Sequence, residues 1–249
     1  MKKKIIALAI AASTLAVAAI GGTMAYFTDT DSAENVMTIG KIDIVQNEYE
    51  WGADGLIEFT QDKPLFPYVG NLAWADPDTY GNDENYRRFA MDNVIDKYVT
   101  VTNTGKNDAY VRTFIALEMG DGYNIDEAPF IGVSFNNANT NAWVWEKDFV
   151  IEINGCTYAV MSAVHTRAIA PDEETIPSLL QVYLDKEATQ EDADVIDQND
   201  DGLYTVYALT QAVQVNGFEE EGAELALDEA FGDVTTANLE AWFAAEFGA

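Results

Sequence analysis

Alternating apolar and polar residues dominate the chain from residue 36 onward. Alternation with a period of two places successive side chains on opposite faces, so it predicts β-strands and not helices. The segment 36–45 has apolar residues on both parities, which is typical of a strand covered on both faces. We expect seven to nine strands in all. The clearest lie within residues 36–45, 98–102, 111–117, 148–161, 178–185 and 203–215.

Two short polar segments between these strands predict turns. Residues 103–108, Asn-Thr-Gly-Lys-Asn-Asp, separate the strand 98–102 from 111–117, which we interpret as its return strand. Asn154-Gly155 divides the segment 148–161 into the two arms of a hairpin. This dipeptide suits a type I′ turn, because both of its central positions require a positive φ.

Helical spacing is confined to the carboxyl-terminal end of the chain. Residues 222–231 and 235–248 each have this spacing, the second with Thr235 or Thr236 as N-cap and Gly248 as its stop. Residues 51–95 are rich in aromatic residues, Gly, Asp, Asn and Pro, and predict loops with short strands. The predicted fold is mainly β: a jelly-roll-like antiparallel β-sandwich with one or two short helices near the C-terminus.

The amino-terminal 25 residues predict a secretory signal peptide. Lys2, Lys3 and Lys4 precede an apolar run over residues 5–20, and Thr23-Met24-Ala25 supplies the small-x-small pattern of a cleavage site before Tyr26. A transmembrane anchor is the competing interpretation, but a spanning helix needs about 20 apolar residues. We therefore expect export, contact with the membrane only during export, and a single mature domain over residues 26–249.

Charge narrows the classes of partner. The chain has 43 Asp and Glu against 13 Lys and Arg, a net charge of −30, which becomes −33 without the signal peptide. A body this acidic is repelled by phosphate backbones and anionic lipid, which excludes ordinary nucleic-acid binding. Because apolar residues make up 48% and aromatic residues 12% of the chain, a disordered acidic tail is excluded as well.

Signals for enzymatic chemistry are weak. His165 is the sole histidine, so no two-histidine zinc site can form. A Ser-His-Asp triad would need His165 as its base, but the sequence has no G-x-S-x-G turn to supply the nucleophilic serine. Cys156 is the sole cysteine and cannot form an internal disulfide; a small buried apolar side chain is the interpretation we favour. We expect a non-enzymatic protein with no certain cofactor.

Calcium is the one metal for which the sequence offers a candidate. Residues 197–202, Asp-Gln-Asn-Asp-Asp-Gly, match the opening of a calcium loop, with Asp197, Asn199 and Asp201 as candidate ligands. The twelfth position is Ala208 and not Glu, so the segment is not an EF-hand and needs a ligand from elsewhere in the chain. A metal-free acidic turn between two strands is the alternative.

Three further residues stand out: two tryptophans, for which a sugar-binding and a structural interpretation are both open, and one arginine in an apolar strand. Trp143 and Trp145 share a parity, so they face the same way in a strand, either as a sugar-stacking surface or as part of the core. Arg112 follows Tyr110 in a strongly apolar strand, where we expect it to pair with a carboxylate inside or beside the sandwich.

Four blocks of the sequence together resemble one family of exported proteins. The junction GGTMAYFTDTDSAENVMTIGKIDI over residues 21–44 looks like the substrate of a SipW-type signal peptidase. The other three blocks are DKYVTVTNTGKNDAYVRTFIALE, IAPDEETIPSLLQVYLD and YALTQAVQVNGF. They resemble the Asn-Thr-Gly with Tyr-Val-Arg, Pro-x-Glu-Thr and Ala-Val-Gln blocks of the TasA/camelysin family. Residues 51–95 have no counterpart.

The resemblance implies an exported jelly-roll protein of the cell surface or of a biofilm matrix. For TasA-like members it also implies fibres, in which an N-terminal strand is donated to the neighbouring subunit; here that strand would begin with Tyr26 and Phe27. Such an end can dock on a sheet edge, fold back on its own sheet or stay free. The implied partners are the signal peptidase, further copies of the chain and other matrix or surface proteins. A surface adhesion or glycan-binding module and a camelysin-like metallo-endopeptidase are the alternative functions.

Overall fold

The computed structural model describes residues 28–32, 43–61, 63–120, 131–135, 142–218 and 222–248. This part of the chain is mainly β with antiparallel strands, as the sequence predicts, and it contains eleven strands and three α-helices. The strands are β1 (Thr28–Ser32), β2 (Ile44–Gly52), β3 (Gly55–Glu58), β4 (Val94–Asp96), β5 (Tyr98–Asn103), β6 (Ala109–Glu118), β7 (Ile131–Phe135), β8 (Trp143–Ile153), β9 (Cys156–His165), β10 (Leu179–Leu184) and β11 (Val206–Gln214). The helices are α1 (Gln190–Ile196), α2 (Ala223–Phe231) and α3 (Thr236–Phe247).

The first layer is a five-stranded sheet in the order β1-β11-β6-β9-β8. Its central strand β6 is buried along both faces, because Val111 and Ile115 face the second layer while Phe114 and Ala116 face the helices. This explains why both parities of the strand are apolar.

The second layer consists of two three-stranded sheets, β3-β2-β5 and β4-β10-β7. Lys97 alone separates β4 from β5, and the segment that leads into β10 runs along both strands. Ser178, just before β10, donates its N–H to Val99 O of β5 at 2.8 Å. Leu180 O, at the start of β10, accepts the N–H of Lys97 at 2.9 Å. The two small sheets therefore meet along this segment, and both pack on the five-stranded sheet.

The core lies on both sides of the five-stranded sheet. Between the layers, Val101 of β5 packs with Val111 and Ala212. On the other side, Leu239 and Phe243 of α3 pack on the sheet, and α2 adds a smaller apolar cluster. The helices at 222–231 and 235–248 are confirmed, and the N-cap of α3 is Thr235, whose side chain accepts the N–H of Asn238.

Helix α1 exceeds the one or two helices that the sequence predicts. It contains seven residues, too few for a visible apolar period, and begins with a capping box between Thr189 and Asp192. The irregular stretch 51–95 contains β3, β4 and two 3₁₀ turns, Pro77–Tyr80 and Glu84–Tyr86. The strand predicted over residues 36–45 falls largely outside the described residues, and β2 continues beyond it to Gly52.

The two predicted hairpins have different outcomes. Strands β8 and β9 pair as expected around Asn154 and Gly155, whose φ values of 52° and 84° fit a type I′ turn. The predicted pairing of β5 with its return strand β6 is wrong: β5 pairs with β2, whereas β6 pairs with β11 and β9. The segment 103–108 instead carries the chain from one layer to the other. Alternation predicts the faces of a strand and not its neighbour.

Candidate functional site

The edge of the five-stranded sheet beside β11 is closed by the short strand β1. The pairing is antiparallel and runs from Thr28 opposite Val213 to Ser32 opposite Leu209. On its other side β11 pairs with β6 along its whole length. Strand β1 is therefore an added edge strand on a sheet that is complete without it.

The composition of β1 makes this attachment depend on the backbone. Its five residues, Thr-Asp-Thr-Asp-Ser, include no apolar side chain that could be buried in a core. A net backbone hydrogen bond contributes about 0.5–1.5 kcal/mol, while ordering one residue costs about 1–2 kcal/mol. The two contributions nearly cancel, so the backbone pairing of β1 adds little net stability to the sheet.

The predicted cleavage and donor residues lie just before this strand. Thr23, Ala25, Tyr26 and Phe27 fall outside the described residues, so their roles stay predictions. In the single chain, residues 28–32 fold back on their own sheet, which is one of the alternatives that the sequence leaves open for this end.

The edge of β11 extends beyond β1. Strand β1 covers Leu209–Val213, whereas residues 206–208 of β11 line an open cleft of about 1050 Å³ between the two layers. In the same cleft Lys97 is paired with Glu48 and lies over the Phe59 ring, 4.3 Å from its centroid. By register, residues 206–208 are the next positions along β11 beyond Leu209, which pairs with Ser32.

The acidic loop 197–202 joins α1 to the segment before β11 and does not connect two strands as expected. Its side-chain oxygens accept backbone N–H groups of the loop itself. Asp197 accepts from Asp201 at 3.1 Å and from Gly202 at 2.8 Å, and Asp201 accepts from Leu203 at 2.8 Å. The Asn199 amide donates to Asp201 at 2.9 Å. The candidate calcium ligands are thus close together, with their oxygens directed at the backbone.

Over all the described ranges, the loop 197–202 included, no group of three or more His, Cys, Asp or Glu residues could hold a metal ion. His165 is buried, and its Nδ1 lies 2.7 Å from the carbonyl oxygen of Arg167, with its ring packed edge-on against Trp143. Burial lowers the pKa of His165 and favours its neutral form. These contacts are those of a core histidine.

Cys156 is free and buried, as the sequence predicts. Burial raises the pKa of its thiol, which disfavours the reactive thiolate. Trp143 and Trp145 share one face as predicted, and both pack into the core between the layers, with Trp143 only 4% exposed. Their position is that of core residues, so neither ring forms an open surface for a sugar.

Arg112 pairs with a carboxylate as predicted, and the structure adds the rest of its surroundings. The guanidinium is fully buried, contacts Asp228 of α2 at 2.5 Å and donates to Gln211 Oε1 at 2.7 Å. The rings of Phe114 and Trp242 lie 5.2 and 5.5 Å from it. The arginine therefore links both C-terminal helices to the sheet, which is a structural role.

Sequence reasoning missed a ribbon formed by residues 66–92 within the irregular stretch. Its two arms meet in isolated bridges, Val69 with Asp92 and Trp74 with Phe89. The Trp74 ring stacks on Phe89 at 4.1 Å between centroids, and the Arg87 guanidinium lies 4.4 Å from the centre of the same ring. The density of aromatic residues was the available signal, but with no regular period it could not be placed.

Comparison with known proteins identifies only the N-terminal part of the chain. A family model described as camelysin metallo-endopeptidase matches residues 1–51. This match confirms the resemblance to the TasA/camelysin family over that segment. No curated protein and no solved structure matches the chain. Among the described residues, no helix is both long and apolar enough to cross a membrane.

Proposed function

We propose that this chain, which matches the TasA/camelysin family over residues 1–51, is an exported structural protein that assembles by donating its N-terminal strand. It acts at the cell surface or in the extracellular matrix without enzymatic chemistry. Cleavage by a SipW-type peptidase after Ala25 leaves Tyr26 as the new terminus and frees the strand that follows.

The observation that carries this proposal is the pairing of β1 with β11. An exchange that places the β1 of one molecule on the β11 of another replaces each bond with an identical one, so it needs no new surface. Eleven residues, 33–43, separate β1 from β2. At full extension they span about 36–40 Å, which is enough to reach a neighbouring subunit.

Charge sets the conditions of this assembly. Mature chains of charge −33 repel one another, so assembly requires salt or divalent cations to screen or bridge them. We propose the loop that contains Asp197, Asn199 and Asp201 as a calcium site with this role. Calcium that acts through the loop promotes assembly and raises the melting temperature more in the parent chain than in an Asp197→Ala/Asp201→Ala variant. An equal effect in both would assign calcium to general screening.

Two cysteines can test the exchange, because Asp29 and Ala212 are register partners in β1 and β11. Directly opposed residues of an antiparallel pair have Cα atoms about 4.5–5.5 Å apart, which is within the range of disulfides, and Ala212 is already a small side chain. An Asp29→Cys/Ala212→Cys variant with Cys156→Ala, oxidised as a monomer, locks β1 onto its own chain. The locked form should not polymerise, and reduction should restore fibres in electron micrographs. Fibres from the locked form would overturn the proposal.

A metallo-endopeptidase is the second candidate, because the matching family model carries that description. A protease would need ligands that the described residues do not bring together. Cleavage of casein by the purified chain, abolished by a chelator and restored by zinc, would favour this candidate over a structural role.

A further inference from the structure

Strand β11 presents alternate residues to its two neighbours. The residues that flank it bond to the β6 side: Thr205 O accepts the N–H of Glu118 at 3.2 Å, and the N–H of Val215 donates to Asp108 O at 2.9 Å. The register with β6 is unbroken along β11, and hydrogen-bonded and non-hydrogen-bonded pairs alternate in an antiparallel ladder. The even-numbered residues of β11 therefore direct their backbone N–H and C=O groups towards the edge on which β1 lies.

Beyond β1, a side chain of the second layer takes over this edge. Ser32 pairs with Leu209, so Ala208 is the next residue of β11 whose carbonyl is directed towards the edge. That carbonyl accepts the side-chain Nε2 of Gln46, a buried residue of β2, at 3.2 Å. A strand that extended to Ala208 would compete with this amide for the same carbonyl.

A second hydrogen bond fixes the orientation of the Gln46 amide. Its Oε1 accepts the hydroxyl of Thr210 at 2.7 Å, and that hydroxyl lies 3.1 Å from the hydroxyl of Thr113. Because only the NH₂ group of an amide can donate, this arrangement directs Nε2 at Ala208 O. All three polar side chains are buried, so displacing the amide would leave buried hydrogen-bonding groups unsatisfied.

The residue types of β1 do not fix its register on β11. The strand reads Thr-Asp-Thr-Asp-Ser, so a shift of two positions again places threonine at threonine positions and aspartate at aspartate positions. Register is weakly specified in polar strands, because no apolar set has to reach a core. In a chain of exchanged strands, each such slip would displace the next subunit by about 6.8 Å. A uniform fibre therefore needs a register signal from the acceptor.

We propose that Gln46 is the register stop of the exchanged strand: its amide ends the pairing at Leu209 and so holds β1 in one register. A slip of two residues towards the start of β11 would place Asp31 opposite Ala208, whose carbonyl the amide occupies. A slip towards the end of β11 does not reach the amide. This role rests on the proposed function where β1 comes from another molecule, but the stop acts equally on a β1 that folds back on its own chain.

Cysteine pairs report the register directly, in the chain from Tyr26 that also carries Cys156→Ala. The measured quantity is the ratio of cross-linked to open monomer at equilibrium in a glutathione buffer, read by mass spectrometry. Three pairs report the observed register, the slip towards the start of β11 and the opposite slip; they are, in that order, Asp29→Cys/Ala212→Cys, Asp31→Cys/Ala208→Cys and Asp29→Cys/Gln214→Cys.

Gln46→Met removes the stop, because it has a similar volume and no donor. It should raise the ratio for the slip towards the start of β11 about two- to ten-fold, the factor that one net hydrogen bond contributes, and leave the opposite slip unchanged. Gln46→Asn, whose shorter stem withdraws the amide from Ala208 O, should act in the same direction.

The matched control is Asn47→Met, at the next position of β2. The Asn47 amide bonds to Thr100 and Thr102 of β5, so this substitution should change neither slip. An equal rise of both slips in the Gln46 variants would mean that β1 is merely loosened, and no rise would mean that the amide sets no limit. Either result would overturn the register stop.

Assembled chains separate the register stop from strand exchange. When chains assembled in reducing buffer are oxidised, the slipped pair should give more covalent multimers with Gln46→Met than without it. If no fibres form but the monomer shows the selective rise, strand exchange fails and the register stop stands. If the in-register pair gives covalent multimers while Gln46→Met changes no slip, strand exchange stands and the register stop is overturned.

Discussion

The five-stranded sheet ends in two strands that are held in opposite ways. Strand β8, at one edge, contains eleven residues and contributes Trp143, Ile151 and Ile153 to the core on both faces. Strand β1, at the other edge, contains five polar residues and is attached through its backbone. Both edges are paired in antiparallel fashion, but β8 is also fixed by buried apolar side chains, a residue type that the sequence of β1 lacks. The edge that we propose for exchange therefore differs from the permanent edge in its residue types and not in its pairing.

The largest expected effect comes from weakening β8. Ile151 is 2% exposed and packs in the core beneath α3, so Ile151→Ala should lower the free energy of unfolding by about 2–5 kcal/mol. Urea unfolding followed by circular dichroism measures the difference. Its neighbour Val150 is 40% exposed, and Val150→Ala should stay within about 0.5 kcal/mol. Equal losses at both positions would mean that the core does not hold this edge.

A smaller effect is expected at the turn that closes β8 on β9. Gly155 has φ of +84°, and a Cβ added there meets no atom within 4 Å, so Gly155→Ala should cost about 1–2 kcal/mol through backbone strain alone. Asparagine tolerates this conformation better, so Gly155→Asn should retain most of the stability in the same urea assay. If the two variants were equally destabilised, the turn would not depend on the left-handed backbone.

Removing β1 should change stability less than either substitution. Deletion of residues 26–32 removes the backbone bonds of β1 but also the cost of ordering its five residues, so the expected loss is below about 1 kcal/mol. The deletion should at the same time abolish fibres. A loss as large as that of Ile151→Ala would show that β1 is a permanent part of the sheet.

The last prediction concerns a buried group that belongs to neither edge, Glu118 at the end of the central strand β6. Glu118 is 2% exposed; Oε2 accepts the N–H of Thr205 at 3.1 Å, while buried Oε1 has no partner among the described residues. Burial is the main cause that raises the pKa of Glu118 above its ordinary value of 4.5, so its ionised form costs stability at neutral pH. That cost disappears as the pH falls through the raised pKa towards the ordinary value.

Replacing Glu118 by Gln removes this titration. Glu118→Gln should therefore raise the melting temperature at pH 7 and have little effect at pH 4, while fibre formation is unchanged because β6 pairs at neither edge. Thermal unfolding at the two pH values measures the effect. A variant that is less stable than the parent at pH 7 would contradict the sign.

The sequence predicts the locally determined parts of this fold well. Asn154-Gly155 predicts its own turn, because two positive φ values depend on the dipeptide itself. Thr235 likewise predicts the start of α3, because an N-cap hydrogen bond joins residues only three positions apart. The burial of Cys156 and the carboxylate partner of Arg112 follow from apolar surroundings that are visible in the sequence.

Long-range features could not be predicted in the same way. Strand pairing joins residues far apart in the chain, so alternation could not place β5 and β6 in different layers. Strand β1 is polar throughout and lacks any alternation, although it forms the edge on which the candidate site depends. The stack of Arg87, Trp74 and Phe89 likewise depends on two arms that meet only after folding.

The cysteine pair at positions 29 and 212 distinguishes strand exchange between molecules from pairing within one chain. When the Asp29→Cys/Ala212→Cys chain lacking Cys156 is assembled in reducing buffer and then oxidised, each β1 should be joined to the β11 of a neighbouring subunit. A non-reducing denaturing gel should then show a ladder of covalent multimers, which collapses to monomer on reduction. Fibres that yield only internally cross-linked monomers would contradict strand exchange.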